Sequence, residues 1–276
     1  MARILMIAPD QILLAALRAS PLLEGHVIEV ARGETDALRQ LRRRAFDVLV
    51  TAPDTLLEED AAILDEVRIA RPGVRIILLG PTATPEQVIV ALRERVFACF
   101  SSPFDASEIA DMVARAAEAE QWKDGIRVVS ATPDWISVLV NCRLLSAERL
   151  VNFLTELRSD VPEKPLDDFM FAFREVLLNA MEHGGGFDPD QVVDVTAVRT
   201  ERTMVFYLRD PGPGFDFGAL PHAAVTRPDD PLAVAEAREG SGLRPGGFGL
   251  LIARQVVDEM IHSERGNEVI LIKHLA

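Results

Sequence analysis

Cysteines are scarce in this chain, and their placement supports no redox or disulfide motif. There are two, Cys99 and Cys142; each lies in an apolar stretch, and neither belongs to a Cys-x-x-Cys pair. Such isolated cysteines do not indicate a disulfide framework or a paired redox motif. We expect two buried, reduced thiols.

Long apolar runs are missing as well. No stretch approaches the ~20 consecutive apolar residues that cross a bilayer, so we expect no membrane partner. The apolar start, Met1–Ile7, gives way to Ala8-Pro9-Asp10 without an extended hydrophobic region or a cleavage site. It predicts a first strand and not a signal peptide, and we expect a cytoplasmic protein.

Basic residues are outnumbered by acidic ones. Lys and Arg total 29 against 43 Asp and Glu, which gives a net charge of −14. Binding to nucleic acid by phosphate neutralisation needs clustered Lys and Arg. The one basic cluster, Arg39 with Arg42–Arg44, is better explained as a solvated helix end, so we expect no direct contact with nucleic acid.

The chain does have enough apolar material for two cores. Of its 276 residues, 49% are hydrophobic, which suits two domains. Residues 1–120 alternate apolar strand-like runs with helical patterns, from a strand at Arg3–Ala8 to a closing helix at Ser107–Glu120. This alternation predicts an α/β fold, a doubly wound parallel sheet of the flavodoxin-like type.

This first half resembles response-regulator receiver domains. Besides the fold rhythm, it has Ser102-Pro103-Phe104 before the last helix, where receivers usually have Lys-Pro-Phe. The acidic pair that receivers place after the first strand is here Ala8-Pro9, with only Asp10 following.

The other receiver positions have also lost their chemistry. The phosphoacceptor, hydroxyl and lysine positions hold Ala52, Gly80 and Ser102. A register shift would be needed to use Asp54 or Asp10 instead. An aspartyl-phosphate site needs a nucleophilic carboxylate and acidic residues that hold Mg²⁺, so we predict a pseudo-receiver that serves interaction or dimerisation.

A linker is predicted at 121–133, because Trp122–Gly125 breaks the last helix and Thr132-Pro133 favours extended backbone. The second domain then covers 134–276. We predict a loop at Asp160–Leu166, helices at Ser146–Ser159, from Asp167 or Asp168 onward and at Leu250–Met260, and strands at Trp135–Cys142, Gln191–Val198, Thr203–Arg209 and Glu268–His274. Helices on one face of a largely antiparallel sheet form an α+β sandwich.

The stretch Phe173–Gly186 carries a polar stripe on a predicted helix. Glu175, Asn179 and His183 recur every four residues and therefore share one face. The opposite face is apolar and suits a core. Three glycines, 184–186, then end the helix and leave backbone with no side chains to block a ligand.

Two glycine-containing segments follow. Asp210 ends a strand and precedes Gly212 and Gly214, so its carboxylate can accept a hydrogen bond while the backbone lies close to a flat ligand. The segment Gly240–Gly249 leads directly into a helix. The free N–H groups and the dipole at such a helix start favour an anion, typically phosphate.

In this order and spacing, the three segments resemble the nucleotide-binding boxes of the GHKL ATP-binding fold, which histidine kinases, gyrase and Hsp90 share. The second domain is most similar to the anti-sigma-factor serine kinases, including Val257–Met260 and Gly266–Ile270 near its end. The resemblance covers the whole second half of the chain.

The resemblance implies ATP and Mg²⁺ as cofactors. Asn179 would coordinate Mg²⁺ through its carboxamide oxygen. Glu175 would be the general base that takes a proton from the attacking hydroxyl or water. Asp210 would accept a hydrogen bond from the adenine amino group, with Gly212 and Gly214 opening the pocket.

The resemblance also implies a phosphate site and a lid. Gly247 and Gly249 would hold phosphates. Arg244 would reach the γ-phosphate from a lid at Asp216–Pro245, a length of loop that is usually functional or mobile. His183 would either line the phosphate site or end its helix.

Three functions compete at this point. The leading one is an ATP-dependent serine/threonine protein kinase of the anti-sigma type, which sequesters a sigma factor and phosphorylates an antagonist protein. A histidine-kinase core needs a phosphoacceptor histidine just upstream, yet none lies between Asp105 and Phe173, and the histidines present are badly placed: His26, His183, His222, His262 and His274. A third reading is a non-catalytic module in which ATP only orders the lid, although Glu175 favours catalysis. A homodimer fits the resemblance, and the first domain could form or block its interface.

Overall fold

The computed structural model describes residues 1–52, 57–119, 124–157, 163–214 and 249–275. The chain divides into two compact units. The first comprises Met1–Asp124 with Asn152–Ser159, and the second comprises Gly125–Val151 with Asp160–Ala276. No helix in the described part of the chain is long and apolar enough to cross a membrane.

The first unit is built on a parallel sheet in the order β2-β1-β3-β4-β5. Its strands are β1 (Arg3–Ile7), β2 (Val27–Ala31), β3 (Val48–Val50), β4 (Arg75–Gly80) and β5 (Ala98–Ser101), and its helices are α1 (Gln11–Ala19), α2 (Glu34–Arg43), α3 (Leu57–Ala70), α4 (Pro85–Arg93) and α5 (Ala106–Glu118), with a short 3₁₀ turn at Pro21–Leu23. This is the flavodoxin-like strand order, so the predicted doubly wound parallel sheet is confirmed.

The burial pattern explains why these residues form this sheet. All of β3 is buried, and so is β4 up to its last residue. Strands that are buried on both faces need apolar side chains at successive positions, as the sequence provides here. On α5, Ile109, Met112 and Val113 form part of a buried stripe with helical spacing.

Strand β5 lies at one edge of this sheet, and a side chain covers part of it. Oδ1 of Asn152 accepts a hydrogen bond from the Cys99 N–H, and Nδ2 donates one to the Cys99 carbonyl, both at 3.0 Å. A carboxamide can make this pair of bonds because it carries one acceptor and one donor. The backbone of the edge strand is thereby satisfied at Cys99 without another strand.

The second unit is built on an antiparallel sheet in the order β10-β11-β9-β8-β7-β6. Its elements are β6 (Ile126–Thr132), β7 (Trp135–Asn141), α6 (Leu144–Leu157, of which the residues up to Val151 belong to this unit), α7 (Glu163–Asn179), a π-helical turn at Ala180–Gly184, β8 (Val192–Arg199), β9 (Thr203–Arg209), α8 (Gly249–Val256), β10 (Glu259–His262) and β11 (Glu268–His274). The predicted α+β sandwich is confirmed.

Aromatic packing fixes α7 against the sheet. The ring of Phe206 on β9 stacks on Phe169, with centroids 4.8 Å apart, and lies 4.4 Å from Phe173. All three rings are fully buried. Because Phe169 and Phe173 lie one turn apart on α7, this cluster sets the position of the part of the helix that carries Glu175 and Asn179.

The segment predicted as a linker, 121–133, contains a strand. Within it, β6 pairs with β7 and extends the second sheet from Ile126 to Thr132. A register shift between Val128 and Ser130 interrupts the pairing. The bulge breaks the alternation of buried and exposed residues that identifies a strand in sequence, which is why the linker prediction is wrong here.

Two further boundaries differ from the prediction. Helix α7 begins at Glu163 and not after a loop at Asp160–Leu166, because Pro165 lies in the first turn, where no helical N–H bond is lost. Helix α8 ends at Val256, and Glu259–His262 forms a strand beside β11 instead of continuing the helix.

Candidate functional site

The site is organised around the end of α7. Glu175 and Asn179 lie one turn apart on this helix, and Nδ2 of Asn179 donates a hydrogen bond of 2.8 Å to the carbonyl of Glu175. This bond uses the nitrogen of the carboxamide and orients the side chain. Its oxygen is the atom left to act as a ligand, and a carboxamide oxygen suits a hard cation such as Mg²⁺.

The helix then changes its winding at the π turn, Ala180–Gly184. Gly185 N–H donates to the carbonyl of Ala180 at 3.0 Å, a bond that spans five residues. His183 lies within this turn and is exposed. The regular α-helix ends at Asn179, so the prediction of one continuous α-helix is wrong beyond that residue.

Asp210 follows β9 and lies against the end of this turn. A β-carbon on Gly184 would be 2.2 Å from Oδ1 of Asp210, and one on Gly212 would be 2.8 Å from the same oxygen. Oδ1 also accepts a hydrogen bond of 2.8 Å from Gly212 N–H. Two glycines, Gly184 and Gly212, thus leave room for one carboxylate.

The carboxyl group of Asp210 is partly withdrawn from solvent. Burial raises its pKa above the ordinary value, while the hydrogen bond from Gly212 N–H and the charge of Arg265 partly offset this increase. The backbone N–H of Asp210 is itself held at 3.0 Å by the carbonyl of Asn267. The result is a fixed, half-buried acceptor at the end of a central strand.

Gly214 is required by conformation and by space. Its φ of +84° is unfavourable for side-chain-bearing residues, and a β-carbon there would be 1.9 Å from the carbonyl oxygen of Arg265. Nε of Arg265 donates to the carbonyl of Pro213 at 3.1 Å. These contacts fix the turn after Asp210 against the turn before β11.

A small cavity connects these elements. Its volume is about 30 Å³, enough for roughly one water molecule. Its lining joins the end of α7, the end of β9, the start of α8 and the turn before β11, through Val176, Asn179, Ala180, Leu208, Asp210, Leu250, Gly266, Asn267 and Val269. A planar ligand larger than water would have to widen this cavity to reach Asp210.

Glu175 faces the start of α8. A β-carbon on Gly249 would lie 1.9 Å from Oε2 of Glu175. The other carboxylate oxygen, Oε1, pairs with Nη1 of Arg174 at 3.1 Å. The predicted catalytic carboxylate and the last glycine of the predicted phosphate loop are therefore in contact.

Comparison with known proteins agrees with this arrangement. The family model of the histidine kinase-like ATPase domain matches residues 142–273. Residues 142–273 lie mostly in the second unit and are therefore similar to a histidine kinase-like ATPase domain. They contain α6, α7, α8 and the strands β8 to β11, but not β6 and β7. No curated protein is significantly similar to the chain.

Solved structures are similar to the N-terminal part. A CheY-like response regulator receiver domain protein from Methanospirillum hungatei JF-1 is 19% identical, covers 44% of this chain and 99% of its own, and has a TM-score of 0.37. A response regulator receiver domain protein from Clostridium thermocellum is 23% identical, with 44% and 97% covered and a TM-score of 0.37. A putative CpaE2 pilus assembly protein from Sinorhizobium meliloti 1021 is 15% identical, with 41% and 98% covered and a TM-score of 0.38.

The thiol nearest the ATPase site has a structural role. A β-carbon on Gly185 would be 2.2 Å from Sγ of Cys142, which is fully buried. Burial, followed by the charges of Asp188 and Asp210, raises the pKa of Cys142 to about 11. Burial also raises the pKa of Cys99 well above its usual range. Both cysteines are free and buried, as expected from the sequence.

Among the residues described at the expected edge of the receiver-like sheet, no acidic cluster could hold a metal ion. Within the described ranges, no group of three or more His, Cys, Asp or Glu could hold a metal ion. Asp10 caps α1 instead, since its Oδ1 accepts from the Ile12 N–H at 2.6 Å. At the end of β3, the buried hydroxyl of Thr51 accepts from the Leu79 N–H at 2.9 Å.

Several predicted positions lie outside the described residues. These are Asp54, His222, Arg244, Gly247 and the whole of the predicted lid, Asp216–Pro245. Two residues that the sequence analysis missed belong to the described site: Arg174, beside Glu175, and its partner Glu148 on α6. Adjacent charge in the sequence could have pointed to Arg174, but nothing local indicates Glu148.

Proposed function

We propose that the chain is a signalling regulator whose ATPase domain binds Mg-ATP and transfers the γ-phosphoryl group to a serine or threonine of a partner protein. The phosphorylated partner would be an antagonist protein and the sequestered partner a sigma factor, as in anti-sigma partner switching. One observation carries the proposal: Asn179 and Asp210 line one pocket together with Leu250 of α8, while Glu175, one turn before Asn179 on α7, lies against Gly249 at the start of α8.

The residues fit a nucleotide with its magnesium ion. Gly184 and Gly212 leave space beside Oδ1 of Asp210 that a β-carbon would fill. Asn179 binds its own helix through nitrogen, so its oxygen is the available ligand atom. Asp210 and Asn179 would therefore hold the adenine and the metal, and Gly249 would contribute to the phosphate end of the site.

The reaction assigned to the site is phosphoryl transfer. When bound, Mg²⁺ supplies neutralisation of the phosphate charge. Glu175 accepts the proton of the attacking hydroxyl through one carboxylate oxygen. Asp210 accepts a hydrogen bond from the exocyclic amino group of adenine and so selects the nucleobase. The start of α8 directs backbone N–H groups toward bound anions.

The receiver-like domain would provide interaction or dimerisation. Ala52, Gly80 and Ser102 stand where phosphorylation chemistry would be required, and no acidic cluster occupies the described part of this edge. Recruitment of a partner or of a second copy of the chain is the function that remains for such a fold.

A second candidate is a non-catalytic module in which bound ATP only gates protein interaction. It is favoured by the small cavity of about 30 Å³, which ligand binding would have to rearrange. Glu175 distinguishes the two functions, because a module that only binds ATP does not need a carboxylate base beside the start of α8.

The test is phosphoryl transfer from γ-labelled ATP to an array of serine- and threonine-containing peptides, together with release of labelled phosphate to water. Glu175→Ala should bind an ATP analogue as wild type does and lose on the order of 100-fold or more in both rates. Glu259→Ala, on exposed β10, serves as the matched control. Equal rates in Glu175→Ala and wild type would refute the role of Glu175. Tight binding without turnover in wild type would favour the gating module.

A further inference from the structure

We propose that Arg174 is a positioning residue that orients the carboxylate of Glu175, and that Glu148 anchors Arg174 for this purpose. The proposal deepens the proposed function, on which it rests, because it concerns the residue assigned there as the base. All three residues belong to the second unit.

The anchor is a two-point contact between α6 and α7. Arg174 Nη2 lies 2.5 Å from Glu148 Oε1, and Nε lies 3.3 Å from Oε2. The guanidinium plane matches a carboxylate in this arrangement, so the contact fixes the orientation of Arg174 as well as its position. The side chain of Glu148 is only 13% exposed, which limits competition from water.

The third nitrogen of Arg174 holds Glu175. Nη1 donates to Oε1 of Glu175 at 3.1 Å. Oε2 of the same carboxylate lies against Gly249, where a β-carbon would approach it to 1.9 Å. Arg174 thus holds one oxygen and leaves the other directed at the start of α8, which is the side on which the proposed reaction takes place.

The anchor also matters for order. Here, one guanidinium serves two carboxylates, and two of its three nitrogens are bound to Glu148. Without Glu148, the 34% exposed Arg174 side chain would regain several rotamers and hold Glu175 less firmly.

The kinetic test compares Arg174→Ala, Glu148→Gln and the double variant with wild type. A base displaced by about 1 Å costs on the order of 100-fold in rate. We expect kcat to fall by about that factor in Arg174→Ala, with KM for ATP unchanged, and the double variant to be no worse than Arg174→Ala. Arg174→Lys should not restore kcat, because an ammonium group cannot make the bidentate contact. The control, Arg115→Ala, removes a similar arginine–aspartate pair on α5 and should have no effect.

A second readout does not depend on turnover. The backbone amide resonance of Gly249 should shift in Glu175→Gln, since the carboxylate beside it loses its charge. Arg174→Ala and Glu148→Gln should each move this resonance relative to the wild-type protein, whereas Arg115→Ala should not. Glu148→Gln keeps the side-chain shape, so it remains informative if Arg174→Ala does not fold.

The two arms separate the two claims. A wild-type protein without phosphoryl transfer, but with a Gly249 resonance that responds to Arg174 and Glu148, would refute the proposed function and leave the positioning role intact. An unchanged resonance in both variants, or unchanged kcat in an active enzyme, would overturn the positioning role itself.

Discussion

A β-carbon on Gly184 would lie 2.2 Å from Oδ1 of Asp210. This contact joins the end of the π turn after α7 to the residue after β9. It brings together two segments that are separate in sequence and that resemble two of the nucleotide boxes. The carboxylate of Asp210 can occupy this position only because Gly184 and Gly212 carry no side chains.

Gly184→Ala tests this contact. The added methyl group must displace the Asp210 carboxylate or the turn, at a cost of about 1–3 kcal/mol in the free energy of unfolding. Urea unfolding measures the stability, and calorimetry measures the affinity for an ATP analogue, which should also fall. Gly73→Ala is the control, because nothing lies within 4 Å of a β-carbon there. Equal behaviour of the two variants would show that Asp210 does not depend on the glycine.

Asp210→Asn tests recognition of the base. A hydrogen bond to a charged acceptor contributes about 1.5–3 kcal/mol, so affinity for the ATP analogue should fall roughly 10- to 100-fold. GTP should compete poorly against ATP on the wild-type protein. Asp194→Asn, on β8 opposite Arg209, should bind as wild type does. Indifference of the wild-type protein to the identity of the base would count against Asp210 as the adenine acceptor.

The same substitution should stabilise the protein at neutral pH. Burial raises the pKa of Asp210 above 3.8 in the folded chain, so the folded state binds its proton more tightly than the unfolded state does. Stability is therefore lost as pH rises from about 3.8 through the raised pKa. The carboxamide in Asp210→Asn carries no charge to desolvate and can still accept from the Gly212 N–H. Thermal melts should show a higher Tm for Asp210→Asn at neutral pH and no difference below about pH 3.8; a lower Tm at neutral pH would contradict this account.

Much of the fold could be predicted from the sequence, because apolar strand-like runs alternate with helical patterns throughout the first unit. The first strand and the closing helix of the receiver-like unit are predicted at Arg3–Ala8 and Ser107–Glu120, close to the observed Arg3–Ile7 and Ala106–Glu118. The strands of this sheet can be recognised because burial on both faces makes them nearly continuous apolar runs. In the second unit, β6 was missed because a bulge breaks its alternation, and β10 because it is short and closely follows a helix.

The candidate site was predictable only where its residues are close in sequence. Glu175, Asn179 and Asp210 could be chosen from helical spacing and from glycines beside a carboxylate. The π turn that contains His183 leaves no mark in the apolar pattern. Glu148 could not be found, because its pairing with Arg174 depends on how α6 packs against α7.

The receiver-like domain should not accept a phosphoryl group. The described edge of its sheet lacks an acidic cluster, and Asp10 is used as the N-cap of α1. Incubation with acetyl phosphate and Mg²⁺, followed by mass spectrometry of the intact protein and its peptides, should show no added mass of phosphate. A phosphorylated Asp10 or Asp54 would contradict the assignment of this domain as a pseudo-receiver.

The central claim is that the second unit binds a nucleotide together with Mg²⁺. Calorimetric titration with a non-hydrolysable ATP analogue, with and without Mg²⁺, tests it in the wild-type protein and in Asn179→Ala. Binding that requires Mg²⁺ and is lost in Asn179→Ala, while the Tm of the variant stays near that of wild type, is the predicted result. Absence of binding in the wild-type protein, or binding that depends on neither Mg²⁺ nor Asn179, would contradict it.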